Sequence, residues 1–378
     1  MCIKRCFPAV TAVKGLDGLF PYQDDSSERR FGNIQAAGEQ FLPGVPKYLA
    51  LRDVVFVPTL LDTLRVKKMD EIGAEPLYIH VNTQSKIGEL GVSVPLIMAA
   101  MGSTDVANVQ GLDAGLGAAK TGTVYVIGEN VMNMRGYDER TKPNQPTLKE
   151  RILSYLKNSN SQGGVVIQQN VEDARAGVWK RIYSDPELKE YFKAGLIGFE
   201  AKGGQGAKPG MGGEVKVDRD LALKLKGKYY FPDDPEKVEQ ALYQRHSVPG
   251  TMTAESMKTT LEKIIEEFPD AHLWFKTGPY GDLTAQIQVL DEVARKSGKR
   301  INLTIDGAEG GTGMSPMGPM NEMGLPTLVC LEAIAQAKER YNAIDYTIAG
   351  GLFRGDHLAK ALALGADVMA IGRGVNIA

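Results

Sequence analysis

The sequence predicts a closed (β/α)8 TIM barrel, and three observations carry that prediction. Eight short apolar runs recur from residue 93 to the end of the chain. Stretches with apolar residues every three or four positions separate most of them, the period of helices that cover one face of a parallel sheet. Glycine-rich turns crowd the carboxyl ends of the runs, above all the fourth, sixth, seventh and eighth, and in a barrel those ends converge on one mouth. A doubly wound open sheet is the competing architecture, but no Gly-x-Gly-x-x-Gly follows the first run.

Taken in order, residues 1–92 read as an N-terminal arm and small cap. Scattered Gly and Pro and the polar run at 23–30 mark an irregular beginning, and the β-former-rich runs at 53–58 and 76–81 predict a small hairpin. The barrel is expected over 93–378, with strands at 94–101, 123–128, 164–170, 196–202, 272–278, 301–307, 345–351 and 367–374. Helices are expected at 104–119, 148–158, 254–268, 282–297, 328–340 and 356–364. The stretch 203–253 interrupts the rhythm; a structureless loop of that length is unusual, so it reads as a folded active-site insertion with a short helix at 219–226.

Composition narrows the function classes. The chain has 378 residues, 44 basic against 46 acidic, and a net charge of −2, which leaves no global field for nucleic acid or an anionic membrane. A hydrophobic content of 43% fits a packed core, and 43 glycines form a surplus that needs a structural reason. Cys2, Cys6 and Cys330 are too sparse for a disulfide scaffold or a self-contained metal site. The start shows no long apolar stretch, so the reading is cytoplasmic.

The strand ends carry the chemistry. Ala349-Gly350-Gly351 and Ile371-Gly372-Arg373-Gly374 follow strands seven and eight, where barrels bind phosphate through backbone amides, although two tight turns would read the same way. Strand six ends in DGAEGGTG, a cradle-like run in which Asp306 either faces the pocket or caps a turn. Lys276 ends strand five inside an apolar run, which requires an anionic partner: an electron-rich ring, a substrate oxyanion, or an internal acid such as Glu200. Gln168, Gln169 and Asn170 end strand three, and Ala99, Ala100, Met101 and Gly102 end strand one, leaving room for a flat ring. Lys202, Gln205 and Lys208 at the start of the insertion suit a substrate carboxylate or form a solvated basic loop.

Together PLIMAAMG, GGQGAKPGMGG, FKTG, DGAEGGTGMSP with GLPT, AGG and GRG resemble the FMN-binding synthase domain of glutamate synthase and its stand-alone relatives, over roughly residues 30–375. The resemblance implies a barrel that binds FMN without a covalent bond. It places Ala99, Ala100, Met101 and Gly102 behind the ring, Gln169 at its polar edge and Lys276 beside N1 and C2. Gly350, Gly351, Gly372 and Arg373 would hold the phosphate with Gly310, Gly311 and Thr312, and Gln205 and Lys208 would act on a 2-oxo or 2-imino acid.

The expected partners are a small 2-oxo acid or amino acid, a glutaminase or an electron-transfer protein, and a second copy of the chain. Relatives of the full type carry a glutaminase domain opening on a nucleophilic cysteine, for which the residues before 93 leave no room, and a cysteine-rich cluster segment after the barrel. The eighth helix is not visible either, so the arm, a partner or an extension is expected to cover the face between helices seven and one. The alternatives are a 2-hydroxy-acid oxidase or flavin-assisted isomerase, for which His246 is the best-placed base, and a flavin-binding subunit without turnover.

Overall fold

The computed structural model describes residues 51–58, 60–204, 214–227, 229–246, 252–310, 324–372 and 374–375. Its centre is a closed barrel of eight parallel strands: β3 (Leu96–Met101), β4 (Val124–Ile127), β5 (Gly164–Gln169), β6 (Ile197–Gly203), β9 (His272–Thr277), β10 (Ile301–Asp306), β11 (Ile344–Ala349) and β12 (Val368–Ile371). Each pairs with its neighbour in chain order, and β12 closes on β3 through Ala370 opposite Ile97. All eight expected strands are present.

Between them lie α1 (Thr63–Ile72) in the arm, α2 (Asp105–Val109), α3 (Gly111–Thr121), α4 (Val131–Arg135), α5 (Leu148–Leu156), α6 (Val171–Arg175), α7 (Val178–Tyr183) and α8 (Lys189–Lys193). The later helices are α9 (Arg219–Leu225), α10 (Ala254–Glu267), α11 (Leu283–Ser297), α12 (Thr327–Lys338) and α13 (Gly355–Ala363). The stops are chemical: Thr147 and Glu150 form a capping box at the start of α5, while Gly122 and Gly298 take left-handed φ of 64° and 70° at the ends of α3 and α11.

Alternation along the strands sorts the core into two shells. Leu273, Phe275, Leu303, Ile305, Tyr346 and Ile348 face outward against α11 and α12, and Tyr125, Ile167 and Phe199 face α5 and α7. Ile97, Val124, Val126, Val166, Trp274, Val368 and Ala370 face the lumen. Into that lumen comes a hairpin, β1 (Ser85–Ile87) with β2 (Leu90–Val92), whose Ile87, Leu90 and Val92 plug the amino-terminal end at about 1.5–3 kcal/mol of burial each.

This hairpin corrects the one expected from 53–58 and 76–81. Val55, Phe56 and Val57 are exposed outside any strand, and Tyr78–His80 is a single 3-10 turn. β-formers with no strand to pair against stay irregular, whereas Gly88, at φ 57°, turns the chain so that its N–H reaches Asp345 Oδ2 at 2.6 Å.

The helix expected at 104–119 is two. At the break Gly111 lies under Arg151, where an added Cβ would come within 2.8 Å of Nε. Among the described residues of the insertion, β7 (Glu214–Val217) pairs antiparallel with β8 (Tyr243–His246), and Val217, Ala222, Leu225, Tyr229 and Tyr243 pack on Met134 of the barrel rim. On the face expected to need a cover, Leu51 is buried against α13 and its carbonyl accepts from Lys360 Nζ at 3.1 Å. Val106, Val109 and Leu112 on the far side of that face stay exposed. No helix among the described residues is long and apolar enough to cross a membrane.

Candidate functional site

The carboxyl ends of the strands meet in a mouth with two unlike halves. On β6, β9, β10 and the turn after β4 the lumen-facing residues are charged. Lys276 Nζ lies 3.1 Å from Asp306 Oδ2, and Lys202 Nζ lies 2.6 Å from Glu129 Oε1. On β11, β12 and β3 the mouth is built from Ala349, Gly350, Ala370, Gly372, Ala99 and Ala100.

The charged half is buried, and burial sets its electrostatics. Lys276 is 7% exposed; desolvation would lower its pKa, but the opposing charges, led by Asp306 with its hydrogen bond, hold the ammonium above its ordinary value. For Glu129 burial pushes up, and the charge and hydrogen bond of Lys202 win, so the carboxyl lies below the usual range. Glu200, 1% exposed one layer below, is raised by burial. The direct partner of Lys276 is thus Asp306 rather than Glu200, and Asp306 is an ion-pair partner rather than a turn cap. Lys202, expected to face a substrate carboxylate, has an internal carboxylate instead.

Residues far from the motifs hold the turn after β3. Arg151, fully buried on α5, donates to the carbonyls of Met101 and Gly102 at 3.1 and 3.2 Å and to Tyr125 Oη. Arg135 on α4 donates to Ser103 O at 2.9 Å. Gly102 is needed for packing: an added Cβ would stand 2.6 Å from Glu129 O, so the turn carrying Glu129 rests directly on this glycine. Neither arginine stood out in the sequence, where a lone Arg on an amphipathic helix reads as a solvated face.

The next residue, Asn130, holds φ 67° and ties the mouth to the insertion. Its N–H donates to Asp173 Oδ2 at 2.8 Å and its Oδ1 accepts from Tyr229 Oη at 2.7 Å and Asn170 Nδ2 at 3.1 Å. Burial, with Glu129 and Glu172 nearby, pushes the Asp173 carboxyl up to about 7. Arg245 of β8 is buried over the Tyr229 ring at 4.1 Å.

At the small half, no hydrogen bond within the described residues takes up the N–H of Gly350 or Gly351, which sit at φ 121° and 66°. Gly350 packs on Thr327 and Gly307, and Gly351 on the side chain of Glu309. The Glu309 carboxylate turns away to accept from Thr327 N and Oγ1, both at 2.7 Å, and caps α12. Gly310 spends its N–H on Gly307 O at 2.8 Å, which removes that amide from the expected cradle. Gln169 ends β5 with its Oε1 buried and, among the described residues, without a hydrogen-bond partner.

Gln205, Lys208, Gly311, Thr312 and Arg373 lie outside the described residues, as does the side chain of His246. The other imidazoles are placed elsewhere: His272 bonds Glu89 and Gly195 O beyond the amino ends of the strands, His80 accepts from Leu77 N, and His357 is buried edge-on to Phe353. A crevice of about 120 Å³, lined by Gly204, Thr253, Phe275 and Tyr280, opens behind the wall of β9 between α10 and α11, outside the mouth.

Residues 282–378 match the family described as "Conserved region in glutamate synthase". A glutamate synthase large subunit-like protein of Rhizobium meliloti is 29% identical over 183 residues, covering 46% of this chain and 38% of that protein. The large subunit-like protein YerD of Bacillus subtilis is 24% identical over 331 residues, 82% of this chain and 55% of that protein. The chain thus spans about a third to a half of the length of the curated relatives it matches. Among solved structures, a flavocytochrome b2 double mutant with pyruvate bound aligns with 98% of this chain and 80% of its own at 14% identity and a TM-score of 0.50, a likeness of fold. The closed parallel barrel makes the chain a TIM-barrel protein, and from α11 to the chain end it is similar to the conserved region of glutamate synthase.

Proposed function

We propose that the protein is an FMN-dependent oxidoreductase of the glutamate synthase type, acting on the C–N bond of a glutamate-like amino acid or of its 2-oxo or 2-imino acid. The observation that carries this reading is Lys276: a buried ammonium held by Asp306 in the charged half of a mouth whose other half is lined by Ala and Gly.

The residues present fit the cofactor. The small half supplies a flat floor at Ala99 and Ala100, the buried Gln169 Oε1 supplies an acceptor for an imide N–H, and the N–H groups of Gly350 and Gly351 supply anion donors beside Gly372. FMN, when bound, supplies the two-electron chemistry that no side chain can. Lys276 places a positive charge at the edge where negative charge grows, and Asp306 holds the ammonium there. Arg151 and Arg135 keep the floor from shifting by bonding its turn carbonyls. The Lys202–Glu129 pair adds a fixed cation and anion to the charged half of the mouth. Gln205 and Lys208 are assigned to the substrate acid, with ammonia drawn from a glutaminase partner or from solution and electrons from a separate donor.

The test is reconstitution with FMN, anaerobic photoreduction, and reoxidation by a panel of 2-oxo acids with ammonia, glutamine or methylamine. A rate increase confined to a 2-oxo dicarboxylate with a nitrogen source is expected. Equal reoxidation with every acid would remove the amino-acid assignment.

A further inference from the structure

Three carboxyl groups, Glu200 and Asp306 buried and Glu129 half-buried, serve two lysines in the upper lumen. Lys202 and Lys276 are hydrogen-bonded one to one with Glu129 and Asp306. Glu200, on β6 opposite Trp274, is 1% exposed, and its hydrogen-bond partners are both neutral: Gln168 Nε2 of β5 at 2.6 Å and Thr304 Oγ1 of β10 at 3.0 Å. Thr304 in turn is fed by Asn302, and Asn302 by Thr347.

We infer that Glu200 carries its proton at neutral pH and acts as a charge-setting residue beneath Lys276. A buried carboxylate with no cation in hydrogen-bond contact is costly, and protonation removes the cost. Its neighbours adapt without moving, because a threonine hydroxyl rotates and a glutamine amide presents either end. The groups that face it are Lys202 on its own strand, Lys276 on β9, Thr304 and Asp306 on β10, Gln168 on β5 and Glu129 from the turn after β4. With Glu200 protonated their charges sum to zero, and Lys276 is neutralised once rather than twice. With Glu200 ionised the described mouth would carry a net negative charge and repel the electron-rich group for which Lys276 is placed. Burial pushes the same carboxyl upward against the pull of Lys276, in agreement with the geometry.

The first test needs no ligand. The infrared difference spectrum between the wild-type protein and Glu200→Gln at pH 7 is expected to show the stretch of a protonated carboxyl that the variant lacks. Thr304→Val removes one donor that favours the anion, so the pH at which the band fades is expected to rise. Absence of the band at pH 7, or an unchanged fading pH in Thr304→Val, would overturn the inference.

The second arm rests on the flavin reading. In the FMN-loaded protein, Glu200→Gln is expected to leave the flavin midpoint potential unchanged at pH 7 and to part from wild type only above the fading pH. A potential displaced at pH 7 would overturn the charge-setting role. Failure to bind FMN would overturn the proposed function instead, since the infrared band reads the proton alone.

Discussion

The two halves of the barrel mouth are built on opposite principles. From the turn after β4 round to β10, charge is held in place by charge: Lys202 by Glu129 and Lys276 by Asp306. From β11 round to β3, shape comes from the absence of side chains, with Ala99, Ala100, Gly350, Gly351 and Gly372 leaving backbone at the surface. The first half is therefore sensitive to single charges and to pH, the second to single methyl groups. A flat cofactor needs both, one for its electronics and one for its bulk.

The largest effect should come from breaking a pair. Lys276→Ala leaves Asp306 buried without its cation and is expected to cost about 3–5 kcal/mol, with Lys276→Met combined with Asp306→Asn recovering part of it. Denaturant titration followed by tryptophan fluorescence reads this directly, because Trp179 and Trp274 are both buried. If the single variant is as stable as wild type, the charged half is not held by pairing.

Next comes pH. The Asp173 carboxyl is pushed up to about 7 in the fold against about 4 in an unfolded chain, so the folded protein binds the extra proton between those values. The stability from this group is therefore full below about pH 4 and is lost as pH rises through about 7, on the order of 2–4 kcal/mol. Asp173→Asn should flatten that slope and leave the Asn130 junction in place. A slope of the same size in the variant would assign it to another group.

Gly102→Ala should cost about 1–3 kcal/mol with no ligand present, because its Cβ would meet the Glu129 carbonyl at 2.6 Å. Gly372→Ala is the smallest change and the sharpest contrast. Its Cβ would reach Ala99 at 3.8 Å, ordinary contact, so stability should stay within about 0.5 kcal/mol while FMN binding, followed by flavin fluorescence, weakens. Two equally destabilised glycine variants would erase the distinction between a packing glycine and a cradle glycine.

How much of this could be read from the chain differs by element. All eight strands were legible because a strand buried on both faces must be apolar along its whole length. The three short helices between β5 and β6 were not: α6, α7 and α8 are five or six residues each, Pro186 interrupts them, and Trp179 stacked on Phe199 at 4.8 Å holds the segment by tertiary contact. Lys276 stood out as a charge inside an apolar run, yet its partner did not. Glu200 and Asp306 are both acids on neighbouring strands, and Thr304 rather than Glu200 stands level with Lys276.

By itself, then, the sequence determined the barrel, its strand order and the position of the buried lysine, since these follow from local apolar patterning and a two-residue repeat. Tertiary structure alone decided which acid neutralises Lys276, that Lys202 is already paired, and that Arg151 and Arg135 hold the floor of the mouth. It also decided that residues 85–92, not the runs before them, form the hairpin that plugs the lumen. The physical reason is one of range. Patterning is fixed by neighbours three or four residues away, whereas an ion pair such as Lys202 with Glu129 depends on how strands far apart in the chain come into register, and only the closed barrel sets that register.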